Sequence, residues 1–103
     1  MAGVRWSLQA VQDLEEICNY LAQSSAHYAG VFAQRVMSII ESIPLNPRSG
    51  SIVPEYDRDD LRERFLHNYR IIYRLRLEVV EIVTITHGAR LLSPYLLRED
   101  DPR

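Results

Sequence analysis

Every basic residue of this 103-residue chain is an arginine. The twelve arginines stand against fourteen acidic residues, so the formal net charge at pH 7 is −2. Between Arg48 and Arg90 there are eight arginines and seven acids, whereas the first 47 residues hold two arginines and four acids. Guanidinium groups bind phosphate and carboxylate through paired hydrogen bonds and stay protonated. The second half is therefore the candidate for binding phosphate or an acidic protein, although the net charge argues against a wholly basic nucleic-acid binder.

Other site chemistries find little support in the sequence. Cys18 is the single cysteine, which excludes a disulfide framework, a zinc ribbon and a CxxC redox pair. It lies on an apolar helical stripe, so we expect a small buried hydrophobic residue and not a nucleophile. His27, His67 and His87 lack the spacing of metal ligands. We expect no metal and no cofactor.

The length and hydropathy of the chain predict one domain over residues 1–103. With 47% hydrophobic residues, the chain has enough apolar side chains to form a single core. No apolar run approaches the ~20 residues that a membrane helix needs. The first residues show no charged segment followed by an apolar one, as a signal peptide would. A cytoplasmic location is the expectation.

The first half reads as a strand followed by two helices. Val4 to Ser7 predicts a short strand, and the Ser7 hydroxyl can cap a helix. Ser24 and Ser25 offer a second cap, and Pro44 stops the second helix. The first helix is predicted by an apolar stripe at steps of three and four, namely Leu8, Val11, Leu14, Ile17, Cys18 and Leu21. Helices joined by so short a turn pack as an antiparallel pair.

After Pro47 the hydrophobic period changes from helical to strand-like. Ile52-Val53 is a brief apolar run, 61–67 and 69–77 alternate, and 79–86 is rich in β-branched residues. Asn68 supplies a tight turn between the two alternating runs. The prediction is an α+β fold of order β-α-α-β-β-β, with a small antiparallel sheet of three or four strands and a helical hairpin on one face.

Side chains alternate across a strand, so the sheet has two predicted faces. One collects Tyr69, Ile71, Tyr73 and Leu75 and seats the helices. The other is a predicted arginine face, with Arg70, Arg74 and Arg76 on one strand and, if the register permits, Arg62 and Arg64 on its neighbour. A run of like charges on one face is costly without a use, so this face is the expected functional surface.

In these segments the chain resembles the RelE/ParE family of toxins from type II toxin–antitoxin systems. The resemblance extends over almost the whole chain and has the predicted fold. It is carried by Trp6-Ser7, Asp13-Leu14, Asn46-Pro47-Arg48-Ser49-Gly50, Val53-Pro54-Glu55-Tyr56, Tyr69-Arg70-Ile71-Ile72-Tyr73-Arg74 and Ile85-Thr86-His87-Gly88-Ala89-Arg90. The resemblance implies a small protein that arrests growth until a cognate antitoxin binds it.

The family contains two biochemical classes, and both stay open at the level of sequence. RelE-type members cut mRNA in the ribosome without a metal, so they need a proton-transfer group beside cations. His87, Glu55 and Tyr95 are the acid/base candidates here, and a ribonuclease site would consist of His87, Arg70, Arg74 and Glu55. No second acid/base group is clearly placed beside His87, and lysine is absent.

The segment His87-Gly88-Ala89-Arg90 is closer to ParE and its plasmid-stabilisation relatives, which poison DNA gyrase and are not nucleases. We therefore expect a ParE-like toxin with an antitoxin and DNA gyrase as partners, the ribosome with mRNA being the alternative. A non-toxic antitoxin-binding member is the third possibility. The expected contact residues are Arg62, Arg64, Arg70, Arg74, Arg76, His87, Arg90, Tyr95 and Leu96.

The C-terminal segment carries four leucines in a short stretch, Leu91, Leu92, Leu96 and Leu97. These either complete the core or form a docking site. Ser93 and Pro94 predict a short helical turn. The acidic tail over about 98–103 is expected to be disordered.

Overall fold

The structure, a computed structural model, describes residues 3–97 and contains two helices and five strands. The elements are β1 (Gly3–Trp6), α1 (Leu8–Ala22), α2 (Ala26–Ser42), β2 (Ser51–Ile52), β3 (Leu61–Leu66), β4 (Tyr69–Leu75) and β5 (Val79–His87), with 3₁₀ turns at Ile43–Leu45 and Pro47–Ser49. The predicted α+β class and order of elements are confirmed, with the two-residue β2 as an additional edge strand. The predicted acidic tail lies outside the described residues.

The sheet is mixed, where the sequence predicted an antiparallel sheet of three or four strands. Its order is β1-β5-β4-β3-β2. β1 runs parallel to β5, with Gly3 opposite Val79 and Trp6 opposite Ile82, and the other neighbours are antiparallel. β1 is joined to the other strands only through the two helices, so no hairpin imposes an antiparallel direction on it.

Serine caps begin both helices, as predicted. The Ser7 Oγ accepts a hydrogen bond from the Ala10 amide at 3.0 Å, and the Ser25 Oγ accepts one from Tyr28 at 3.0 Å. Each cap satisfies an amide that has no partner inside its helix. α2 ends at Ser42, and Pro44 lies in the 3₁₀ turn that follows. Neither helix of the described range 3–97 is long and apolar enough to span a membrane.

The main core lies between the helical hairpin and one face of the sheet. Phe32, Val36 and Ile40 of α2 pack with residues that include Ile71 and Tyr73 of β4. At its N-terminal end the α1 stripe leaves this core, because Leu8 is 73% exposed and Val11 is 40% exposed. Those two positions, predicted as core, are therefore surface.

A second apolar cluster covers the opposite face of the sheet, where the sequence predicted an open arginine face. Its buried members are Val53, Leu61, Ile72, Val83 and Leu97. Leu92 and Leu96 pack against it, so three of the four C-terminal leucines complete a core. Leu91 remains 81% exposed. The C-terminal segment thus packs on one face of the sheet, and the helices pack on the other.

Asp13 fastens α1 to an irregular point of β5. The β4–β5 register shifts between Ile72 and Tyr73, which face Thr84 and Ile82, so Val83 is an extra residue on β5. The Asp13 carboxylate accepts hydrogen bonds from the Thr84 hydroxyl and from the Ile85 amide, the latter at 3.1 Å. A side chain on the helix therefore satisfies the backbone beside the bulge.

Tyr73 fastens the turn before β2 to the centre of the sheet. Its buried hydroxyl donates to the Pro47 carbonyl at 2.7 Å and accepts from the Gly50 amide at 2.9 Å. A Cβ at position 50 would lie 2.5 Å from the Glu63 carbonyl oxygen and 2.7 Å from the Tyr73 hydroxyl. Only glycine fits here, and the motif at 46–50 is explained by this close approach.

Replacing the Tyr73 hydroxyl tests this attachment. Tyr73→Phe leaves the Gly50 amide and the Pro47 carbonyl without their partner, so we expect the free energy of unfolding to fall by about 1–3 kcal/mol. Urea unfolding followed by circular dichroism measures the change. Tyr20→Phe is the control, because Tyr20 is 66% exposed, and its effect should stay within about 0.5 kcal/mol. Equal effects of the two variants would contradict the assignment.

Candidate functional site

The strand register divides the predicted arginine face between the two sides of the sheet. Arg62 lies opposite Tyr73 and Arg64 opposite Ile71, so both point to the side of the helices. Arg70 and Arg74 point to the other side, with the second apolar cluster. The prediction of five arginines on one face is therefore wrong. The two-residue turn at 67–68 pairs each even-numbered position of β3 with an odd-numbered position of β4, and a one-residue difference in register reverses the face.

Arg70 is held inside the protein by two glutamates. Its Nε donates to Glu63 Oε1 at 2.7 Å, while Nη1 and Nη2 each donate to a Glu55 oxygen at 2.8 Å. The side chain is only 5% exposed, and those of Glu55 and Glu63 are 19% and 6% exposed. Hydrogen bonding to Arg70 lowers the pKa of Glu55 to about 2, and the same bonds raise the pKa of Arg70. We call these three residues the Arg70 triad.

Other predicted contact arginines are also engaged with acids. Arg62 Nη2 lies 2.8 Å from Asp59, and Arg74 Nε lies 3.5 Å from Asp60. Arg76, just after β4, lies 3.9 Å from Glu81. Their side chains are 12%, 8% and 25% exposed. These groups stabilise loops and strand ends, and they do not form a common anion-binding surface.

Arg64 and Arg90 differ from the other predicted arginines. Within residues 3–97 neither makes an ion pair with a carboxylate. Arg64 Nη1 donates to the Ser49 hydroxyl at 3.1 Å, and Arg90 is exposed on the C-terminal segment. Of the predicted contact arginines, these two have guanidinium groups available for a partner.

Of the alternative ribonuclease site, Arg70 and Glu55 are bonded to each other, but His87 lies on the opposite face of the sheet. His87 lies opposite Tyr69, on the helix side of the sheet, with ring centroids 5.7 Å apart, whereas Arg70 points to the other side. A carboxylate with a pKa near 2 is a poor base at neutral pH, so Glu55 is unsuited to take a proton from a ribose hydroxyl. Glu55 and Arg70 instead serve as structural residues.

Glu55 also positions the C-terminal segment. Besides its two bonds to Arg70, it accepts the Leu92 amide at 3.2 Å. The neighbouring Tyr56 hydroxyl donates to the Ser93 carbonyl at 2.6 Å and lies 3.3 Å from the Leu96 amide. The turn predicted at Ser93 is present, with the Tyr95 amide donating to the Ser93 hydroxyl at 3.1 Å. The β2–β3 loop therefore holds this segment in place.

A groove of about 730 Å³ runs between α1 and the C-terminal segment, past the end of β5. It brings four of the predicted contact residues together, namely His87, Arg90, Tyr95 and Leu96. Its other wall is α1, where Leu8 is 73% exposed and Tyr20 is 66% exposed. Across from them, Leu91 of the C-terminal segment is 81% exposed. Glu16 and Asp13 add acidic groups on the helix side.

The α1 wall was not predicted from the sequence. Leu8 stands at the start of the apolar stripe, where periodicity cannot distinguish core from an exposed apolar surface. Tyr20 lies off the stripe, and an exposed aromatic residue in that position was the available signal. Exposed apolar side chains gathered along a groove that also carries polar and charged groups are typical of a surface that receives a partner.

Metal and thiol chemistry have no built site in the part of the chain that the structure describes. No group of three His, Cys, Asp or Glu side chains within residues 3–97 is arranged to hold a metal ion. Cys18 is half-buried, and burial raises the pKa of its thiol. A raised pKa disfavours the reactive thiolate.

Comparisons with known proteins give a consistent family. A family model described as the ParE toxin of the type II toxin–antitoxin system parDE matches residues 4–92. Among solved structures, a chain of the chromosomal ParDE toxin–antitoxin system from P. aeruginosa is similar in fold, with a TM-score of 0.70 and 18% sequence identity. The match covers 84% of this chain and 96% of that chain. No curated protein matches this sequence.

The Arg70 triad predicts how stability depends on pH. The pKa of Glu55 is lower in the folded protein than its ordinary 4.5, so its contribution is complete above about pH 4.5 and is lost as pH falls towards 2. Glu55→Gln should lower the free energy of unfolding by about 1–3 kcal/mol at pH 7. The difference between wild type and variant should shrink between pH 5 and pH 2.5.

Urea unfolding at several pH values measures this difference. Glu15→Gln serves as the control, because Glu15 is exposed on α1 and makes no ion pair within residues 3–97. A wild-type-to-Glu55→Gln difference that stays constant down to pH 2.5 would show that the carboxylate is not held ionised by Arg70.

Proposed function

Because the chain belongs to the ParE toxin family of type II toxin–antitoxin systems, we propose that it arrests growth by poisoning DNA gyrase and is neutralised by a cognate antitoxin. The observation that supports binding over RNA cleavage is the Arg70 triad. Arg70 and Glu55, which a ribonuclease would use, are bonded to each other by two hydrogen bonds of 2.8 Å. A third bond of 2.7 Å joins the Arg70 guanidinium to Glu63. A toxin that acts on a protein target does not need them free.

The groove between α1 and the C-terminal segment is the proposed contact surface. Its exposed leucines and tyrosines offer apolar area, and Arg90, which has no carboxylate partner within residues 3–97, offers a charge for orientation. Amphipathic helices of partner proteins dock in grooves with this combination of apolar anchors and flanking charge. Among the predicted contact residues, His87, Arg90, Tyr95 and Leu96 keep that role in the proposal. Gyrase and the antitoxin are cytoplasmic partners, so the toxin would act there.

Two assays side by side test the proposed function. We expect the purified protein to inhibit supercoiling by DNA gyrase and to stabilise cleaved DNA, and to leave mRNA intact on programmed ribosomes. Ribosome-dependent mRNA cleavage that is abolished by His87→Ala, with gyrase unaffected, would reject the proposal in favour of the ribonuclease. Normal growth on expression without an antitoxin would favour a non-toxic antitoxin-binding protein.

A variant of Arg90 tests the groove. Arg90→Ala should weaken inhibition of gyrase or binding of the antitoxin at least tenfold, because a charged group that contacts the partner directly is worth about 1.4 kcal/mol or more. Its free energy of unfolding should stay within about 0.5 kcal/mol of wild type. Arg48→Ala is the control, since Arg48 is 59% exposed and lies outside the groove. Equal activity of both variants would exclude the groove.

A further inference from the structure

The floor of the groove is a stretch of β5 that has a neighbouring strand on one side only. β1 covers the other side as far as Ile82, which lies opposite Trp6 and accepts the Ser7 amide at 3.0 Å. Beyond that point β5 continues to His87, and its residues 83–87 all line the groove. In the described chain no strand pairs with this side of β5 after Ile82. We call this stretch the open edge of β5.

The strand register determines which backbone groups point along the open edge. The amides and carbonyls of successive strand residues point to opposite sides of the strand. The Gly88 amide donates to the Asn68 carbonyl at 2.6 Å on the β4 side, so positions 86 and 88 face β4. Positions 85 and 87 therefore face the groove. The bond of 3.1 Å from the Ile85 amide to Asp13 of α1 agrees with this direction.

Two of the four backbone groups at positions 85 and 87 are already bonded. The Ile85 amide donates to Asp13, and the His87 carbonyl accepts the Arg90 amide at 3.0 Å. Within residues 3–97 the Ile85 carbonyl and the His87 amide have no hydrogen-bond partner. The Ile85 side chain packs in the main core, so this residue meets the groove with its backbone. An unpaired backbone group at a buried position costs free energy, which favours a ligand that supplies both partners.

One residue of an extended segment that runs parallel to β5 supplies both partners. In a parallel ladder, a residue beside Thr86 donates to the Ile85 carbonyl and accepts from the His87 amide. An antiparallel segment would need two residues for these bonds. It would also leave a group of each unbonded, because the Ile85 amide and the His87 carbonyl are occupied. An α-helix bonds its central backbone groups internally, so a helix against the apolar walls would leave the open edge unpaired.

The two walls of the groove select the side chains of such a segment. Residues in register on neighbouring strands point to the same face of a sheet. Thr86 lies opposite Arg70, so a segment residue beside Thr86 points to the face that the C-terminal segment covers. A carboxylate suits that position, because Arg90 lies on this wall. The residues before and after it point to the α1 wall, where Glu16 is exposed and has no ion pair within residues 3–97, so basic side chains suit them.

We propose that the groove receives an extended segment of the antitoxin, which pairs with the open edge of β5 and runs parallel to it. The antitoxin is the source, because the family to which the chain belongs is the toxin half of a toxin–antitoxin pair. The inference rests on the proposed function, in which an antitoxin neutralises this protein. It assigns the conformation and the direction of the bound segment. A segment seated here also covers the surface proposed to contact gyrase.

Hydrogen-bond scalar couplings, measured by NMR on the complex, test the pairing directly. The probe is the antitoxin encoded in the reading frame that adjoins the toxin's own, and both proteins carry isotope labels. We expect one coupling from the His87 amide to an antitoxin carbonyl and one from an antitoxin amide to the Ile85 carbonyl. In parallel pairing both antitoxin groups belong to the same residue. Couplings to residues two positions apart would show antiparallel pairing and overturn the proposed direction, and the absence of both couplings would overturn the inference.

A proline at position 87 tests the same pairing through affinity. His87→Pro removes an amide that has no acceptor within residues 3–97, and proline is tolerated at such strand edges. We expect it to weaken antitoxin binding about tenfold or more relative to His87→Ala, which removes the same ring and keeps the amide. Isothermal titration calorimetry measures both affinities, and thermal unfolding shows whether each variant is folded. Equal affinities of the two folded variants would contradict the pairing, and the couplings decide alone if His87→Pro does not fold.

The outcomes separate this inference from the proposed function. Antitoxin binding without the two couplings refutes the extended segment and leaves neutralisation standing. Couplings to an antitoxin whose toxin does not inhibit gyrase refute the gyrase target and leave the pairing standing. A wild-type toxin that does not bind the antitoxin refutes neutralisation and the inference together.

Discussion

A buried arginine that binds two glutamates joins two strands of the sheet to the loop between β2 and β3. Arg70 on β4 binds Glu63 on β3 and Glu55 in the loop before it, and Glu55 in turn holds the C-terminal segment through the Leu92 amide. Removing one charge from such a group leaves its partner buried and incompletely paired, which costs more than the pair itself contributes. The position of one groove wall therefore depends on the Arg70 triad.

Many of the motif residues fasten the fold, whereas the motif residues His87 and Arg90 line the groove as proposed contacts. Gly50 and Tyr73 fasten the turn before β2, and Asp13 fastens α1 beside the bulge in β5. These residues, with Arg70 and Glu55, lie in the segments on which the family resemblance rests. The groove is lined by His87 and Arg90 from the last of those segments and also by exposed side chains such as Leu8, which no short motif marks. The motifs therefore report on how the fold is fastened and on one part of the groove.

The helices and strands could be predicted from the sequence because they depend on interactions between residues close together in the chain. Ser7 and Ser25 cap helices through hydrogen bonds with residues three positions away, and the alternation in 69–75 is a property of one strand. The prediction of an arginine face was wrong because it depended on the register between two strands. That register is set by the length of the turn at 67–68. The ion pairs could not be predicted for a related reason: Glu55 lies fifteen residues from Arg70, and no periodic pattern links a loop carboxylate to a strand guanidinium.

The central claim is that Arg70 and Glu55 are bonded to each other and are not reserved for an outside anion. A double-mutant cycle of Glu55→Gln and Arg70→Gln, measured by urea unfolding at pH 7, tests it most directly. The account predicts a coupling free energy of about 1.5–3 kcal/mol, as for contacting charges that share hydrogen bonds. Additive effects of the two substitutions, with coupling near zero, would contradict it.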